Sequence, residues 1–305
     1  GQFTPGSAFV NSNLLLLAIP GMAFATFLLP LLLQRFGRVA ATVAAAAVIG
    51  TCLALVLRLA PAVFAGETQV ARVHWLPTYG LDLGLRMDGL GLLFSLLICG
   101  IGLLVVLYAF YYLPGSDRMG RFYSILLLFM AAMLGVVLSE NLLLLLVFWE
   151  ITSLSSFLLV AYSHDKYESR IGARMALAVT GGGGLALLAG ILLLGHIAGS
   201  YELSVILAAG DQIRAHALYI PTLILILLGA FTKSAQFPFH FWLPNAMSAP
   251  TPVSAYLHSA TMVKAGVFLL ARLHPALGGT DAWFWLVSGT GAVTLVYSAA
   301  TALFR

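Results

Sequence analysis

Apolar stretches of about 20 residues recur along the whole chain, and this repetition is the feature that most constrains its fold. A helix of that length rises about 30 Å, which matches the hydrocarbon core of a bilayer. Nine such stretches predict an all-α polytopic membrane protein. They run from Leu14 to Leu33, Val39 to Ala65, Gly89 to Leu113, Phe122 to Leu138, Leu142 to Tyr162, Ile171 to Ile197, Leu218 to Phe239, Pro252 to Leu273 and Trp283 to Phe304.

The composition excludes a water-soluble globule. Of 305 residues, 61% are hydrophobic and 9% are charged, and the mean hydropathy is +1.01. Soluble domains carry about 25% charged residues, so 15 basic and 11 acidic side chains are too few for a water-exposed surface. The formal net charge of +4 is spread thinly along the chain, which argues against nucleic-acid binding. Cys52 and Cys99 lie in apolar stretches without CxxC spacing, and we interpret them as buried thiols.

Basic residues in the connections predict the orientation in the membrane. The connections after the odd-numbered helices carry eight basic residues, against five on the other side. By the positive-inside rule, the N-terminus is outside and the odd connections are cytoplasmic. The eight are Arg35, Arg38, Arg118, Arg121, Lys166, Arg170, Arg174 and Arg305, and the five are Arg58, Arg72, Arg86, Arg214 and Arg272.

Four ionisable side chains fall inside the predicted helices. Glu150 lies near the middle of the fifth helix, Lys233 in the seventh, and His258 and Lys264 in the eighth. Inserting such a group at membrane depth costs on the order of 2.5 to 3.5 kcal/mol on insertion scales, so each one is expected to have a polar partner or a functional role. A buried Lys–Glu pair can simply lock two helices together, but four such groups in three helices favour proton transfer.

The seventh predicted helix is interrupted. Residues 221–236 give about 24 Å of helix, which is shorter than a full span. Pro238 removes a backbone N–H, so we expect a break near Phe237 and a new helix near Pro252. Lys233 would then lie at the C-terminal end of a half-helix, where the helix dipole favours a cation. Discontinuous helices of this kind mark ion sites in secondary transporters.

These groups predict a path for protons. The proton on a buried lysine depends on whether a carboxylate is close, so a movement of Glu150 would move the proton on Lys233. His258 can pass a proton near neutral pH, and Lys264, six positions later, faces another direction and could continue the path. Supporting roles are expected for the hydroxyls of Thr232 and Ser234, which could hold water, and for His240 in the short segment after the break.

Other features have a structural interpretation. Asp88, at the start of the third helix, is expected to be a helix N-cap or first-turn acid rather than an ion-uptake residue, with Arg86 as its salt partner. Glu140 lies in a very short turn, where a helix-end role and a contact with a neighbouring protein chain remain open. Gly182, Ala186 and Gly190 place small residues on one helix face for close packing. The aromatic residues near helix ends are interpreted as an interfacial belt: Phe237, Phe239, Phe241, Trp242, Trp283 and Trp285.

The segment from Phe231 to Leu273 closely resembles the proton-translocating antiporter-like family shared by respiratory complex I and the Mrp multisubunit Na⁺/H⁺ antiporters. A lysine, a helix break, a histidine and a second lysine follow one another in the order found in that family. The segments FWEITSLSSFLL and MDGLGLLFSLL resemble it too. Within the family, PNAM followed by APTPVSAYLHSATMVKAG is most similar to the large A subunits of Mrp antiporters, and the L-type subunit of complex I is the alternative.

The resemblance implies three N-terminal helices in residues 1–115, a five-helix antiporter repeat of helices four to eight in residues 116–275, and the start of an inverted second repeat in residues 276–305. It assigns proton translocation to Glu150, Lys233, His258 and Lys264. It also implies other membrane subunits as partners, H⁺ and Na⁺ as the transported ions, and the bacterial cell membrane as the location. Ser248 stands where the family usually has an acid. Because the second repeat should continue past Arg305, we expect the N-terminal part of a longer subunit.

The sequence therefore predicts a proton-translocating subunit of a cation/H⁺ antiporter and not an enzyme. It shows no redox-cofactor motif, nucleotide motif or metal-ligand cluster, and we predict no cofactor and no catalytic residue. Three alternatives remain open: a proton-pumping L-type subunit of complex I, a scaffold subunit with vestigial charges, and an intramembrane enzyme with His240 or His258 as base. The last would need a nucleophile or metal partner, and none is found at a sensible spacing.

Overall fold

The computed structural model describes residues 5–304, with side chains described from residue 12 onward. Within this range, eight helices are long and apolar enough to cross a membrane, and a further apolar helix of 15 residues is shorter. Each of the nine predicted stretches overlaps one of these helices. The prediction of a mostly helical, multi-span membrane protein is confirmed.

The elements follow the chain in a simple order. The helices are α1 (Pro5–Thr26), α2 (Leu29–Leu33), α3 (Arg38–Phe64), α4 (Gly89–Tyr112), α5 (Met119–Leu138), α6 (Leu142–Val160), α7 (Tyr167–Ala198), α8 (Leu203–Ala208), α9 (Gly210–Ala215), α10 (Tyr219–Lys233), α11 (Trp242–Ala246), α12 (Thr251–Ala255), α13 (Met262–Leu277), α14 (Asp281–Trp283) and α15 (Gly289–Leu303). Two π-helical turns, Tyr256–Ala260 and Phe284–Ser288, lead into α13 and α15. Two strands, β1 (Gln69–Leu76) and β2 (Leu81–Met87), lie between α3 and α4.

Helix α5 forms the centre of the bundle. Its side chains are buried almost all round, and it packs against α1 to α4 and α6. The contact with α6 is especially close, because a Cβ added at Gly135 would collide with the ring of Phe148. Phe148 also stacks on Phe24 of α1, with ring centroids 5.6 Å apart. Helix α15 is the opposite case, since none of its residues is buried.

The connection between α3 and α4 is an antiparallel β-hairpin, which the sequence analysis did not predict. Gln69 pairs with Met87 at the open end of the hairpin. Gly80, with φ of 69°, adopts the left-handed conformation that the turn requires. Leu85 bridges to Ser139 in the turn between α5 and α6. The hairpin is thus attached to the helix bundle and is not a free loop.

Three connections meet at this end of the bundle, which we call the hairpin end. Asn141 is the N-cap of α6 and accepts hydrogen bonds from two backbone amides of the first turn. Its amide nitrogen donates to the carbonyl of Gly80 in the hairpin and to Glu202 in the loop after α7. One side chain therefore connects the hairpin, the α5–α6 turn and the α7–α8 loop.

The opposite end holds an open, charged cavity of about 810 Å³. It lies between the connection after α4, the connection after α6 and the turn before α12. Asp117, Arg121, Asp165 and Ser248 are among its lining residues. This end carries the connections that the count of basic residues assigns to the cytoplasm.

The close approach of α5 and α6 can be tested at Gly135. We expect Gly135→Ala to destabilise the protein by about 1–3 kcal/mol, because the Phe148 ring must move, and to lower the melting temperature in detergent by several degrees. Gly100→Ala on α4 is the matched control, since nothing lies within 4 Å of its added Cβ. Alanine favours helix over glycine, so the control should be neutral or slightly stabilising. Equal shifts for the two variants would contradict this packing.

Candidate functional site

Helix α10 ends at Lys233, inside the bundle. Ser234 is its C-cap, and Ala235 has a positive φ of 51°, so the helix cannot continue. The chain then turns through residues 234–241 and the cis Phe237–Pro238 peptide before α11 begins. The sequence analysis placed this end slightly later, at Gln236. The structure therefore sets Lys233 on the last turn of α10, close to carbonyl groups that carry the negative end of the helix dipole.

The ammonium group of Lys233 is fully buried and is bound by neutral groups of α6. Its Nζ donates to the Ser153 hydroxyl at 2.6 Å and to the Trp149 carbonyl at 3.1 Å. It also lies 5.0 Å from the centroid of the Trp149 ring, within the range of a cation–π contact. Among residues 12–304, no carboxylate forms a salt bridge with Lys233. Its binding groups are thus two hydrogen-bond acceptors and one aromatic face.

Glu150 lies beside this group but is not bonded to it. Its Oε1 atom is buried and has no hydrogen-bond partner among the described residues. The carboxylate packs against Gly184 of α7, where an added Cβ would collide with it. Glu150 and Ser153 are i, i+3 neighbours on α6, and such positions lie about 5–6 Å apart at Cβ. Glu150 and the serine that binds Lys233 therefore occupy neighbouring positions on α6, and the carboxylate has an oxygen atom without a hydrogen-bond partner among the described residues.

Trp242 connects the end of α10 to His258. Its indole N–H donates to the Thr232 carbonyl at 2.9 Å, and its ring meets the His258 ring edge-on at 6.0 Å. The interpretation of Trp242 as an interfacial residue is wrong, because its side chain is fully buried. A buried indole needs a hydrogen-bond acceptor, and the free carbonyls at the broken end of α10 supply one. The sequence analysis did not predict that Trp149 binds Lys233 or that Trp242 contacts His258.

His258 is buried in the π-helical turn before α13. Neither of its ring nitrogens has a partner among the described residues. Buried polar atoms without partners are rare in proteins, and π-helical turns are frequent at functional sites. His258 therefore has a free donor and a free acceptor next to Trp242.

The remaining predicted residues of this region have different surroundings. The Thr232 and Ser234 hydroxyls donate to backbone carbonyls, Ser234 to that of Val263 at 2.6 Å. Lys264 is exposed on the surface of α13 and has no hydrogen bond or ion pair within the described range. The His240 ring is tilted against the ring of Tyr297 on α15, with centroids 4.5 Å apart, and no hydrogen bond or ring contact joins it to Lys233, Trp149 or Ser153 within the described residues. Lys264 thus faces out of the bundle.

The predicted packing face of α7 is confirmed at Gly190, which contacts Ile226 of α10, and is wrong at Gly182, where nothing among the described residues lies within 4 Å of an added Cβ. Two glycines outside the predicted face also pack closely: Gly183 contacts the Thr232 side chain, and Gly184 contacts Glu150. The small residues therefore bring α7 close to the ionisable group as well as to α10.

Asp88 lies at the hairpin end, away from Lys233, and is the N-cap of α4. Its carboxylate accepts from the Gly91 amide at 2.9 Å and is bound by Arg272 through two nitrogens and by Arg86. Burial raises the pKa of Asp88, but the hydrogen bonds and charges of Arg272, Gly91 and Arg86 outweigh it and lower the pKa below its ordinary value. The stabilisation is therefore present above the unfolded pKa and is lost as the pH falls through the lowered folded pKa. Arg272, counted above with the connections, lies inside α13 and is buried.

Glu140 is fully buried at the same end and belongs to the same set of charges. It accepts from Arg86 at 3.2 Å, from Arg72 at 3.1 Å and from the Ser204 amide at 3.2 Å. Arg72 also lies 3.6 Å from Glu202. Because the carboxylate of Glu140 is enclosed by groups of its own chain, a contact with a neighbouring protein chain is not supported. Six residues thus form what we call the charge ladder: Arg272, Asp88, Arg86, Glu140, Arg72 and Glu202.

Comparisons with known proteins identify the family of this chain. A family model described as "NADH:quinone oxidoreductase/Mrp antiporter, TM" matches residues 139–305, and one described as "NADH-Ubiquinone oxidoreductase (complex I), chain 5 N-terminus" matches residues 75–123. The chain is 57% identical over 261 residues to the A/B subunit of a probable K⁺/H⁺ antiporter of Rhizobium meliloti (strain 1021), covering 86% of this chain and 26% of that protein. It is 50% identical over 246 residues to the A1 subunit of the Na⁺/H⁺ antiporter of Staphylococcus aureus (strain MRSA252), covering 81% of this chain and 31% of that protein.

A solved structure shows the same fold. A chain in the structure of the Mrp complex from Dietzia sp. DQ12-45-1b matches with a TM-score of 0.86 and 37% identity, over 95% of this chain and 31% of that chain. The present chain therefore spans between a quarter and a third of the length of these relatives. The first family model covers more than half of the chain and includes Glu150, Lys233, His258 and Lys264. The chain belongs to the NADH:quinone oxidoreductase/Mrp antiporter family of membrane proteins.

Proposed function

We propose that this chain is the proton-translocating part of the large A-type subunit of a multisubunit cation/H⁺ antiporter, and not an enzyme. The observation that carries the proposal is the fully buried ammonium of Lys233, bound by Trp149 and Ser153 without a bonded carboxylate. A buried amine held by neutral groups changes its protonation when an anion approaches or leaves. Glu150 is the anion in position to do so.

Glu150 controls the proton on Lys233 in this scheme. Its free Oε1 and the absence of a side chain at Gly184 leave it room to turn. When the carboxylate turns toward Ser153 it stabilises the charged lysine, and when it turns back toward Gly184 it favours release of the proton. The two positions thus correspond to two protonation states.

The released proton continues toward α13. His258 lies beside Trp242, and both of its ring nitrogens are without a partner among the described residues. The hydrogen bonds of Lys233 go to Trp149 and Ser153 and none goes to His258, so transfer between the two requires a bridging water. Lys264 is exposed on α13 and delivers the proton to whatever covers that surface. Six further residues hold the surrounding segments in place: Asp88, Glu140, Thr232, Ser234, Pro238 and His240.

The assignment to a cation antiporter rests on the two relatives, which are named for Na⁺/H⁺ and K⁺/H⁺ antiport. We infer that the cation is Na⁺ or K⁺, that other membrane subunits are the partners and that the bacterial cell membrane is the location. Residues 116–275 form the antiporter repeat, residues 1–115 precede it and residues 276–305 begin the second repeat. The second candidate is an L-type subunit of complex I, which the match of residues 75–123 favours.

The scheme predicts that proton transfer depends on Lys233 and Glu150. In the complete complex, Lys233→Ala and Glu150→Gln should each lower cation-driven ΔpH in inverted vesicles by about 100-fold, the usual size of a proton-transfer contribution. Lys166→Ala is the control, because Lys166 is exposed in a connection, and it should leave transport unchanged. Normal ΔpH with Lys233→Ala would show the proposed function to be wrong.

A second prediction concerns the space around Glu150. Gly184→Ala should displace the carboxylate, slow transport about tenfold through misplacement of the transfer groups and shift its pH profile. Gly182→Ala adds the same methyl group two residues earlier, where nothing lies within 4 Å, and should behave as the unmodified protein. The role of Glu150 would be contradicted if the two variants had the same pH profile.

The predicted orientation can be measured by cysteine labelling. His74→Cys in the hairpin should react with a membrane-impermeant maleimide in intact cells, and Asp165→Cys should react only after permeabilisation. Cys52 and Cys99 are buried and give little background. The reverse pattern of labelling would place the N-terminus in the cytoplasm.

A further inference from the structure

Helix α13 carries a proposed proton-transfer residue near one end and a buried arginine near the other. Lys264 is in its first turn, and Arg272 follows eight residues later, about 12 Å along the axis. Both residues lie in the stretch of this 16-residue helix that precedes its internal Pro275, so their spacing and relative direction are fixed by the helix geometry. Whatever fixes the position of Arg272 therefore also fixes the depth and the facing direction of Lys264.

Arg272 is bound in a way that defines its position. Its side chain is buried, and both terminal nitrogens donate to the two carboxylate oxygens of Asp88. Its Cζ lies 5.2 Å from the centroid of the Phe268 ring on the same helix. A bidentate Arg–carboxylate pair restricts rotation as well as distance. Because Asp88 is the N-cap of α4, the pair holds α13 against the start of that helix.

The charge ladder extends this restraint to α6. Asp88 contacts Arg86, Arg86 contacts Glu140, and Arg72 joins Glu140 to Glu202. Glu140 directly precedes the N-cap of α6, and Glu150 lies ten residues later in the chain, partway along that helix. The ladder has three acidic and three basic members, so its charges balance. It thus runs from the helix of Lys264 to the turn that leads directly into the helix of Glu150.

Two other contacts hold the end of α13, but they act on its backbone. Arg214 donates to the carbonyl of Pro275, and the Tyr219 hydroxyl donates to the carbonyl of Leu277. Neither of them reaches α4 or the hairpin. They keep the end of α13 attached when Arg272 is replaced, so a replacement should reposition the helix and not release it.

We propose that Arg272 is a positioning residue for proton transfer: through its bidentate pair with Asp88 and the charge ladder, it sets the depth and rotation of α13 relative to α6. This inference rests on the proposed function. It extends that function to the hairpin end, where no transfer residue lies. Loss of the pair changes the alignment of Lys264 and His258 with Lys233, while each of those groups stays chemically intact.

The test uses Arg272→Lys, Arg272→Met, Asp88→Asn and the double variant Asp88→Asn/Arg272→Met in the complete complex. Lysine keeps the charge but loses the bidentate geometry, and asparagine keeps the N-cap acceptor but loses the charge. The readouts are the amount of assembled complex, the rate of cation-driven ΔpH per assembled complex, and the pH of half-maximal transport. Arg58→Met is the matched control, because Arg58 is an exposed arginine near the same end of the bundle with no bonded partner within the described range.

We expect each single variant to assemble, to transport about tenfold more slowly per complex, and to shift the pH of half-maximal transport by about 0.5 unit or more. The double variant should be no worse than Arg272→Met alone, because both changes break the same pair. Arg58→Met should leave the rate and the pH profile unchanged.

A normal rate and pH profile per assembled complex in the Arg272 and Asp88 variants would overturn the inference, as would additive losses in the double variant. If Lys233→Ala abolishes transport while these variants transport normally, only this inference fails, whereas normal transport by Lys233→Ala removes the proposed function itself.

Discussion

The binding of the Lys233 ammonium by Trp149 and Ser153 is the interaction on which the centre of this protein depends. A charged amine in a low-dielectric interior is costly unless polar groups bind it. Three features of the chain supply those groups. Helix α10 ends at Lys233 and so places the amine at its negative end, α6 offers a carbonyl and a hydroxyl, and Trp149 offers an aromatic face. The glycines of α7 then allow the carboxylate of Glu150 to lie alongside.

The two polar regions of the bundle differ in how completely they are paired. In the charge ladder, every acidic group contacts at least one arginine, and Asp88 and Glu140 also bind backbone amides. Two of its atoms, Glu202 Oε2 and Arg272 Nε, have no hydrogen-bond partner among the described residues, but every charge in it is paired. Around Lys233, by contrast, Glu150 and His258 form no ion pair within the described range, and one oxygen of Glu150 and both ring nitrogens of His258 have no hydrogen-bond partner there. A network of paired charges rigidifies its surroundings, whereas unpaired buried groups have alternative arrangements available. In the proposed scheme the hairpin end is therefore the fixed frame, and protons move in the middle of the bundle.

Hydropathy predicted the helices well and their surroundings poorly, for one physical reason. Lipid and the bundle interior are equally apolar, so the apolar stretches of α5 and α15 look alike although one is buried almost all round and the other has no buried residue. For the same reason the buried position of Trp242 and the contact face of Gly183 and Gly184 could not be read from the sequence. The break after Lys233 was predictable because proline and a short apolar span leave a local signal. The pairing of Arg272 with Asp88 depends on a contact between distant segments, which no local pattern encodes. The hairpin, in contrast, is formed within residues 69–87 around Gly80, and this local signal was overlooked.

The central claim is that Glu150 and Lys233 respond to each other's charge. Infrared difference spectroscopy on the complete complex measures this directly, because a carboxyl group has a C=O stretching band only when it is protonated. The pH dependence of the Glu150 band, assigned by its loss in Glu150→Gln, should change when Lys233 is replaced by methionine. The account predicts that the midpoint pH of this band differs between the protein with Lys233 and the Lys233→Met variant. An identical titration of the band with and without the lysine would contradict it.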